Sequence, residues 1–199
     1  MPASTAGPEA QSPVDRSEEK AFGFWIYLMT DAIVFALLFA TYVVMSRGTA
    51  GGPTGLELFH LPRTFGETML LLFSSATFGF ATLAARARDG RAAVLLLLLT
   101  FILGTGFVAM EVGEFRGMVA MGAGPDRSGF LSAFFTLVGT HGLHVSVGLI
   151  CILVVVGQIL FKGLTEPVGS RLFRVGLFWH FLDIVWIGIF SVVYLPGVL

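Results

Sequence analysis

Residues 129–161 read GFLSAFFTLVGTHGLHVSVGLICILVVVGQILF, without a single Asp, Glu, Lys or Arg. An α-helix rises about 1.5 Å per residue, so about 20 apolar residues cross the roughly 30 Å hydrocarbon core of a membrane. This stretch exceeds that length, and we expect its helix to tilt or to project beyond the bilayer. The stretch therefore predicts a membrane-spanning α-helix.

Four further apolar stretches of spanning length surround it. They are residues 22–45, 66–85, 92–112 and 172–194. The chain is 55% hydrophobic and 13% charged, whereas soluble domains are about 25% charged. Strand-like alternation is absent, and helices are the other structure that satisfies the backbone in lipid. We therefore predict an all-α polytopic membrane protein with five transmembrane helices.

The N-terminal residues differ from the rest of the chain. Residues 1–20 are rich in Pro, Ser, Ala and Glu and contain no apolar run, which is typical of disorder. We expect a disordered cytoplasmic tail over 1–20 and one membrane domain over 21–199. The net charge of −1 gives no support to a nucleic-acid partner, and a single cysteine, Cys151, excludes a disulfide framework.

The positive charges indicate an orientation. Eight of the 12 Lys and Arg residues fall on the side of the membrane that holds the N-terminus in a five-helix topology. Cytoplasmic loops carry the excess of Lys and Arg, so we expect a cytoplasmic N-terminus and a periplasmic C-terminus in a bacterial inner membrane.

Five ionisable residues fall within the apolar stretches, where each is costly unless it is paired. Their estimated depths are similar, so we expect one buried polar layer that ties the first, fourth and fifth helices together by hydrogen bonds. Three histidines with one or two carboxylates would also suit zinc or non-haem iron, and a metal-dependent membrane enzyme is the alternative. The residues are Asp31, His141, His144, His180 and Asp183.

A second ionisable group is expected near the outer membrane surface. Glu67 begins the predicted second helix, where the helix dipole favours a negative charge, and Glu111 and Glu114 end the predicted third helix. Solvated helix ends are one interpretation, and contact with a lipid amine headgroup is the other. An anionic lipid would instead need Arg63 or Arg116.

Two motifs resemble the paired signatures of subunit III of the haem-copper terminal oxidases. They are Gly139-Thr140-His141-Gly142-Leu143-His144-Val145 and Trp179-His180-Phe181-Leu182-Asp183-Ile184-Val185-Trp186. Further stretches are similar to the bo-type ubiquinol oxidase branch of that family. These stretches are residues 22–29, 48–55, 70–75 and 124–135.

The resemblance implies a non-catalytic subunit of a proton-pumping complex that oxidises ubiquinol and reduces oxygen to water. It implies that this chain holds no haem, copper or other metal and has no catalytic residue, and that the haems and copper belong to subunit I. It also implies packing against subunit I and other subunits, with phospholipids in a cleft between a two-helix and a three-helix bundle. A small transporter is a further alternative, although the sequence shows no repeats or broken helices.

Overall fold

The computed structural model describes residues 13–197, which are helical apart from their connections. Five long helices are joined by short loops, and two very short helices lie at one end of the bundle. In chain order they are α1 Pro13–Met45, α2 Gly55–Leu58, α3 Leu61–Arg86, α4 Gly90–Ala120, α5 Gly129–Lys162, α6 Glu166–Ile189, a π-helical segment Phe190–Tyr194, and α7 Leu195–Gly197. Within residues 13–197, five segments have the length and apolar character to cross a membrane, which agrees with the predicted number of spans.

Helix α1 begins earlier than predicted. It starts at Pro13, so the last eight residues of the predicted disordered tail are helical, whereas residues 1–12 lie outside the described part of the chain. Proline suits the first turn of a helix because its missing N–H has no partner there in any case. The apolar span itself begins at Phe22, as predicted.

Local signals set the other helix ends. The Asp89 side chain accepts hydrogen bonds from the first backbone N–H groups of α4, and Ser128 does the same for α5. Both are preferred N-cap residues. Helix α5 ends at Lys162 and is capped by Gly163, whose φ of +69° lies in the region that glycine tolerates best. These caps explain why the loops of the bundle can be short.

Helix α5 forms the centre of the bundle. Its buried side chains recur every three or four residues from Phe130 to Ile159, and it packs against α1, α4 and α6. Helix α3 packs mainly against α4 and α6. Many large hydrophobic side chains remain exposed on the outer faces, including Ile33, Leu95 and Ile150, as expected for helices that face lipid or other subunits.

The predicted division into a two-helix and a three-helix bundle is wrong. Helices α1 and α3, which are the first two spans, make little contact with each other, and each packs on α6. The first two spans therefore belong to one five-helix bundle rather than to a separate pair. Among the described residues there is therefore no boundary between two bundles at which the expected cleft could lie.

The short helix α2 closes one end of the bundle. Its last residue, Leu58, and the following Phe59 are buried. The Phe59 ring lies 4.8 Å from that of Tyr194 and 5.1 Å from that of Phe134. An added Cβ on Gly197 would lie 2.6 Å from Phe59, so only glycine fits there without movement. The loop that follows α1 thus folds back over the ends of α5 and α6.

Candidate functional site

The first buried polar contact joins α1 to α5. His144 Nε2 lies 3.9 Å from Asp31 Oδ2, and His144 Nδ1 lies 2.7 Å from the carbonyl oxygen of Thr140. A carbonyl only accepts hydrogen bonds, so Nδ1 carries a proton. The Phe35 ring covers the histidine at 5.3 Å. Asp31, which also interacts with Tyr27, and His144 thus face each other between two helices.

His141 makes a separate contact between α5 and α6. The side chain is fully buried, and its Nε2 donates to the carbonyl oxygen of Leu182 at 3.2 Å. Its ring lies 5.7 Å from that of Phe107 and 5.2 Å from that of Trp186. His141 therefore faces backbone and aromatic rings rather than His144, although the two share one side of α5.

A third polar contact joins α3 to α6. Ser75 Oγ lies 2.7 Å from His180 Nδ1, and the Asp183 carboxylate interacts with both residues. The sequence interpretation missed Ser75, although small hydroxyl residues within an apolar helix are the signal for such interhelical hydrogen bonds. Ser74 beside it accepts a hydrogen bond from Trp179 Nε1 at 3.1 Å.

The contacts of the five predicted residues link the first span to the fourth and the fourth to the fifth, and their position in one shared layer stays a prediction. The five residues fall into three separate contacts, and α3 takes part where only the first, fourth and fifth spans were expected. Helical spacing places residues on one face but leaves open which neighbour each side chain meets. Within residues 13–197, no group of three or more His, Cys, Asp and Glu side chains is arranged to hold a metal ion, so these residues do not fit the predicted metal alternative.

The three glutamates of the second group lie inside the bundle. The exposed fraction is 0% for Glu67, 3% for Glu111 and 8% for Glu114. Glu67 Oε1 lies 3.6 Å from Arg63 Nε, and Glu114 Oε2 accepts a hydrogen bond from the Tyr194 hydroxyl at 3.1 Å. We call these residues the carboxyl cluster: Glu67, Glu111 and Glu114.

The expectation that these glutamates occupy helix ends is wrong. Helix α3 begins at Leu61, six residues before Glu67, and α4 continues to Ala120 beyond the other two. Helices α3 and α4 extend beyond their apolar stretches, because polar residues can continue a helix where neighbouring helices surround it. Arg116 is exposed, as a headgroup contact requires, but the carboxylates themselves are enclosed by this chain.

Glycine makes room for the carboxyl cluster. An added Cβ on Gly142 of α5 would lie 2.5 Å from Glu111 Oε1 and 2.6 Å from Oε2. The carboxyl group of α4 therefore rests directly against the backbone of α5. Gly142 belongs to the Gly139–Val145 motif, and its position explains why a small residue stands between the two histidines.

Several cavities among the described residues open at the end of the bundle that carries most of the arginines, and two of them involve α6. One, of about 480 Å³, lies between α3 and α6 and is lined by Arg86, Arg88 and, at its inner part, His180. The other, of about 290 Å³, lies between α1, α5 and α6. Its walls are largely apolar, and Arg171 and Arg174 stand among its lining residues. Both could take an elongated molecule with an anionic end.

Residues 12–198 match the model of the family described as cytochrome c oxidase subunit III. The chain belongs to this family. The resemblance of the two histidine motifs is thereby confirmed, and family membership covers nearly the whole sequence.

Several relatives of this family are similar over most of the chain. Cytochrome bo(3) ubiquinol oxidase subunit 3 of Pseudomonas aeruginosa is 52% identical over 93% of this chain and 88% of that protein. Its namesake from Pseudomonas putida is 54% identical over 93% and 89%. Cytochrome c oxidase subunit 3 of Bacillus sp. PS3 is 41% identical over 96% and 92%. The family thus includes subunits of oxidases named for different electron donors.

Proposed function

We propose that this chain is the non-catalytic third subunit of a proton-pumping terminal ubiquinol oxidase in a bacterial inner membrane. The identity above 50% with two proteins named cytochrome bo(3) ubiquinol oxidase subunit 3 carries the proposal. Such a complex would oxidise ubiquinol and reduce oxygen to water. The haems and copper that perform this chemistry would reside in subunit I, against which this chain would pack.

The role of the chain's own residues follows from their contacts. Three polar contacts each link two helices: Asp31 with His144, His141 with Leu182, and Ser75 with His180. Interhelical hydrogen bonds in membranes contribute about 0.6 kcal/mol on average. These contacts fix which faces of the helices pack together, and the bundle thereby offers subunit I a rigid surface.

The orientation with a cytoplasmic N-terminus belongs to the same proposal. It places the arginine-rich loop at 86–91 and the loop at 163–165 in the cytoplasm, which follows the positive-inside rule. Loop-specific proteolysis of right-side-out and inverted membrane vesicles tests it. Cleavage at the 86–91 loop is expected only in inverted vesicles, and cleavage in right-side-out vesicles would contradict the orientation.

Phospholipid retention is assigned to the cavity between α1, α5 and α6. Its apolar walls suit acyl chains, and Arg171 and Arg174 offer charge to an anionic headgroup. This site replaces the predicted outer site at the carboxyl cluster, whose oxygens are enclosed. Arg171→Gln with Arg174→Gln should reduce the phosphatidylglycerol that copurifies, whereas Arg116→Gln on the opposite end should not. Equal retention in both variants would contradict this site.

The central experiment is purification of an affinity-tagged chain from native membranes in mild detergent. Mass spectrometry is expected to find the other oxidase subunits, and the complex is expected to show haem absorbance and ubiquinol oxidase activity. A cytochrome c oxidase activity without ubiquinol oxidation would place the chain in the other branch of its family. Purification with no oxidase subunit would contradict the proposal.

A further inference from the structure

The carboxyl cluster is the part of the bundle that the subunit role leaves unexplained. We propose that Glu67, Glu111 and Glu114 form a buried proton-binding site, in which the carboxyl groups together retain at least one proton. The proposal concerns this chain alone. It does not depend on which electron donor the complex uses.

The first argument is that carboxyl oxygens are buried without hydrogen bonds, although Arg63 Nε lies 3.6 Å from Glu67. Glu67 is fully buried, and neither of its carboxyl oxygens has a hydrogen-bond partner; Glu111 Oε2 has none either. Buried carboxylate oxygens are normally hydrogen-bonded, because an unpaired buried charge is very costly. The walls around these oxygens belong to this chain, so a neighbouring subunit cannot supply the missing donors.

The second argument is charge. Glu67 and Glu114 both lie within electrostatic range of Glu111. Among residues 13–197, the basic groups that act on the cluster are Arg63, at 3.6 Å from Glu67, and His60, which acts on Glu114. Two basic side chains, even if both were charged, cannot neutralise three buried carboxylates. Like charges that share a buried site do not all ionise, so at least one group remains a neutral acid.

A retained proton accounts for both the missing hydrogen bonds and the excess negative charge. A protonated carboxyl loses its charge and becomes an O–H donor for a neighbouring carboxylate oxygen. A buried water could supply a hydrogen bond but would leave the charge. A metal cation would also neutralise charge, but no group of three or more such side chains within the described residues is arranged to hold one. The proton is therefore the ligand that fits.

The surroundings assign different roles to the three groups. The Tyr194 hydroxyl donates to Glu114 Oε2 at 3.1 Å, which suits a carboxylate acceptor. Arg63 Nη2 donates to the Met110 carbonyl at 2.7 Å and is thus held beside the cluster. Glu67 and Glu111 hold the unpartnered oxygens, so the proton resides on one of these two.

Infrared spectroscopy tests the proposal directly. The full chain is purified with the subunits that accompany it, with carbon-13 labelling of glutamate carboxyl groups to identify their bands. At neutral pH we expect a glutamic acid C=O band that disappears or shifts in Glu67→Gln or Glu111→Gln. The control Glu166→Gln changes an exposed glutamate in the first turn of α6 and should leave that band unchanged.

Recovery of the complex provides the second measurement. Glutamine is the neutral isostere of a protonated glutamate, so Glu111→Gln should assemble to within about twofold of the unchanged chain. Glu111→Ala removes the carboxyl group that packs against Gly142, so this variant should assemble less well. The proposal is overturned if neither Gln variant alters a glutamic acid band. It is equally overturned if both Gln variants fail to assemble, because the ionised forms would then be required.

Discussion

The Trp179 side chain of α6 packs against α3, α4 and α5. Gly104→Ala tests this packing most directly. The indole is buried and donates to Ser74 of α3 at 3.1 Å. An added Cβ on Gly104 of α4 would lie 2.8 Å from Trp179 Cη2 and 2.9 Å from a methyl group of Leu149. On the other side, an added Cβ on Gly148 would lie 3.0 Å from the same indole.

The magnitude follows from these distances. Carbon atoms in contact lie at least about 3.5 Å apart, so the new methyl group would be about 0.7 Å too close to a ring that cannot retreat. Overpacking of this kind costs about 1–3 kcal/mol. Alanine in a helix gains up to about 1 kcal/mol over glycine, which reduces the net loss. Gly157→Ala in α5 is the matched control. It has the same gain in helix propensity, and its added Cβ would meet no atom within 4 Å.

The assay is thermal unfolding in mild detergent, together with the yield of intact complex. Gly104→Ala should be less stable than Gly157→Ala by about 1–3 kcal/mol, since both share the helix gain and only one has the clash. In a Trp179→Phe background the same change should cost less, because a shorter ring leaves room, and this coupling is read from a double-mutant cycle. Equal stability of the two alanine variants, with no coupling to position 179, would refute the packing argument.

Three further predictions concern the polar contacts. Asp183→Leu should lower the yield of intact complex more than the turnover of what assembles, whereas full assembly with abolished turnover would assign the residue to proton transfer. Tyr194→Phe should destabilise the chain by about 1–3 kcal/mol in thermal unfolding, because it removes the donor of a buried carboxylate; unchanged stability would show that another donor serves it. Ser75→Ala should cost about 0.5–1.5 kcal/mol by the same assay through loss of the contact with His180. The exposed control Thr105→Ala should cost less, and the reverse order would contradict an interhelical role for Ser75.

Much of the fold could be predicted because lipid permits few structures. Five apolar stretches of spanning length required five helices, whatever their neighbours. The helix ends were harder, since α4 continues eight residues past the predicted Val112 and α1 begins before Lys20. Hydropathy reports where a segment meets hydrocarbon, and a helix can continue beyond that limit when protein or water satisfies its polar groups.

The candidate site was only partly predictable for a related reason. The sequence identified every ionisable residue within the spans, because a charge in an apolar run stands out. It left open the partner of each one. His141 and His144 share a helix face but meet different helices, and Ser75 entered the site only through the packing of α3 on α6.

Local composition and motifs are enough to show that this chain spans a membrane five times and belongs with the subunit III proteins. The packing of the helices was needed to show that the first two spans do not form a separate pair and that the carboxyl cluster is enclosed. Depth along a helix can be counted from residue number at about 1.5 Å per residue. The side that a residue faces depends on how every other helix packs around it, as Glu67 on α3 and Gly142 on α5 illustrate.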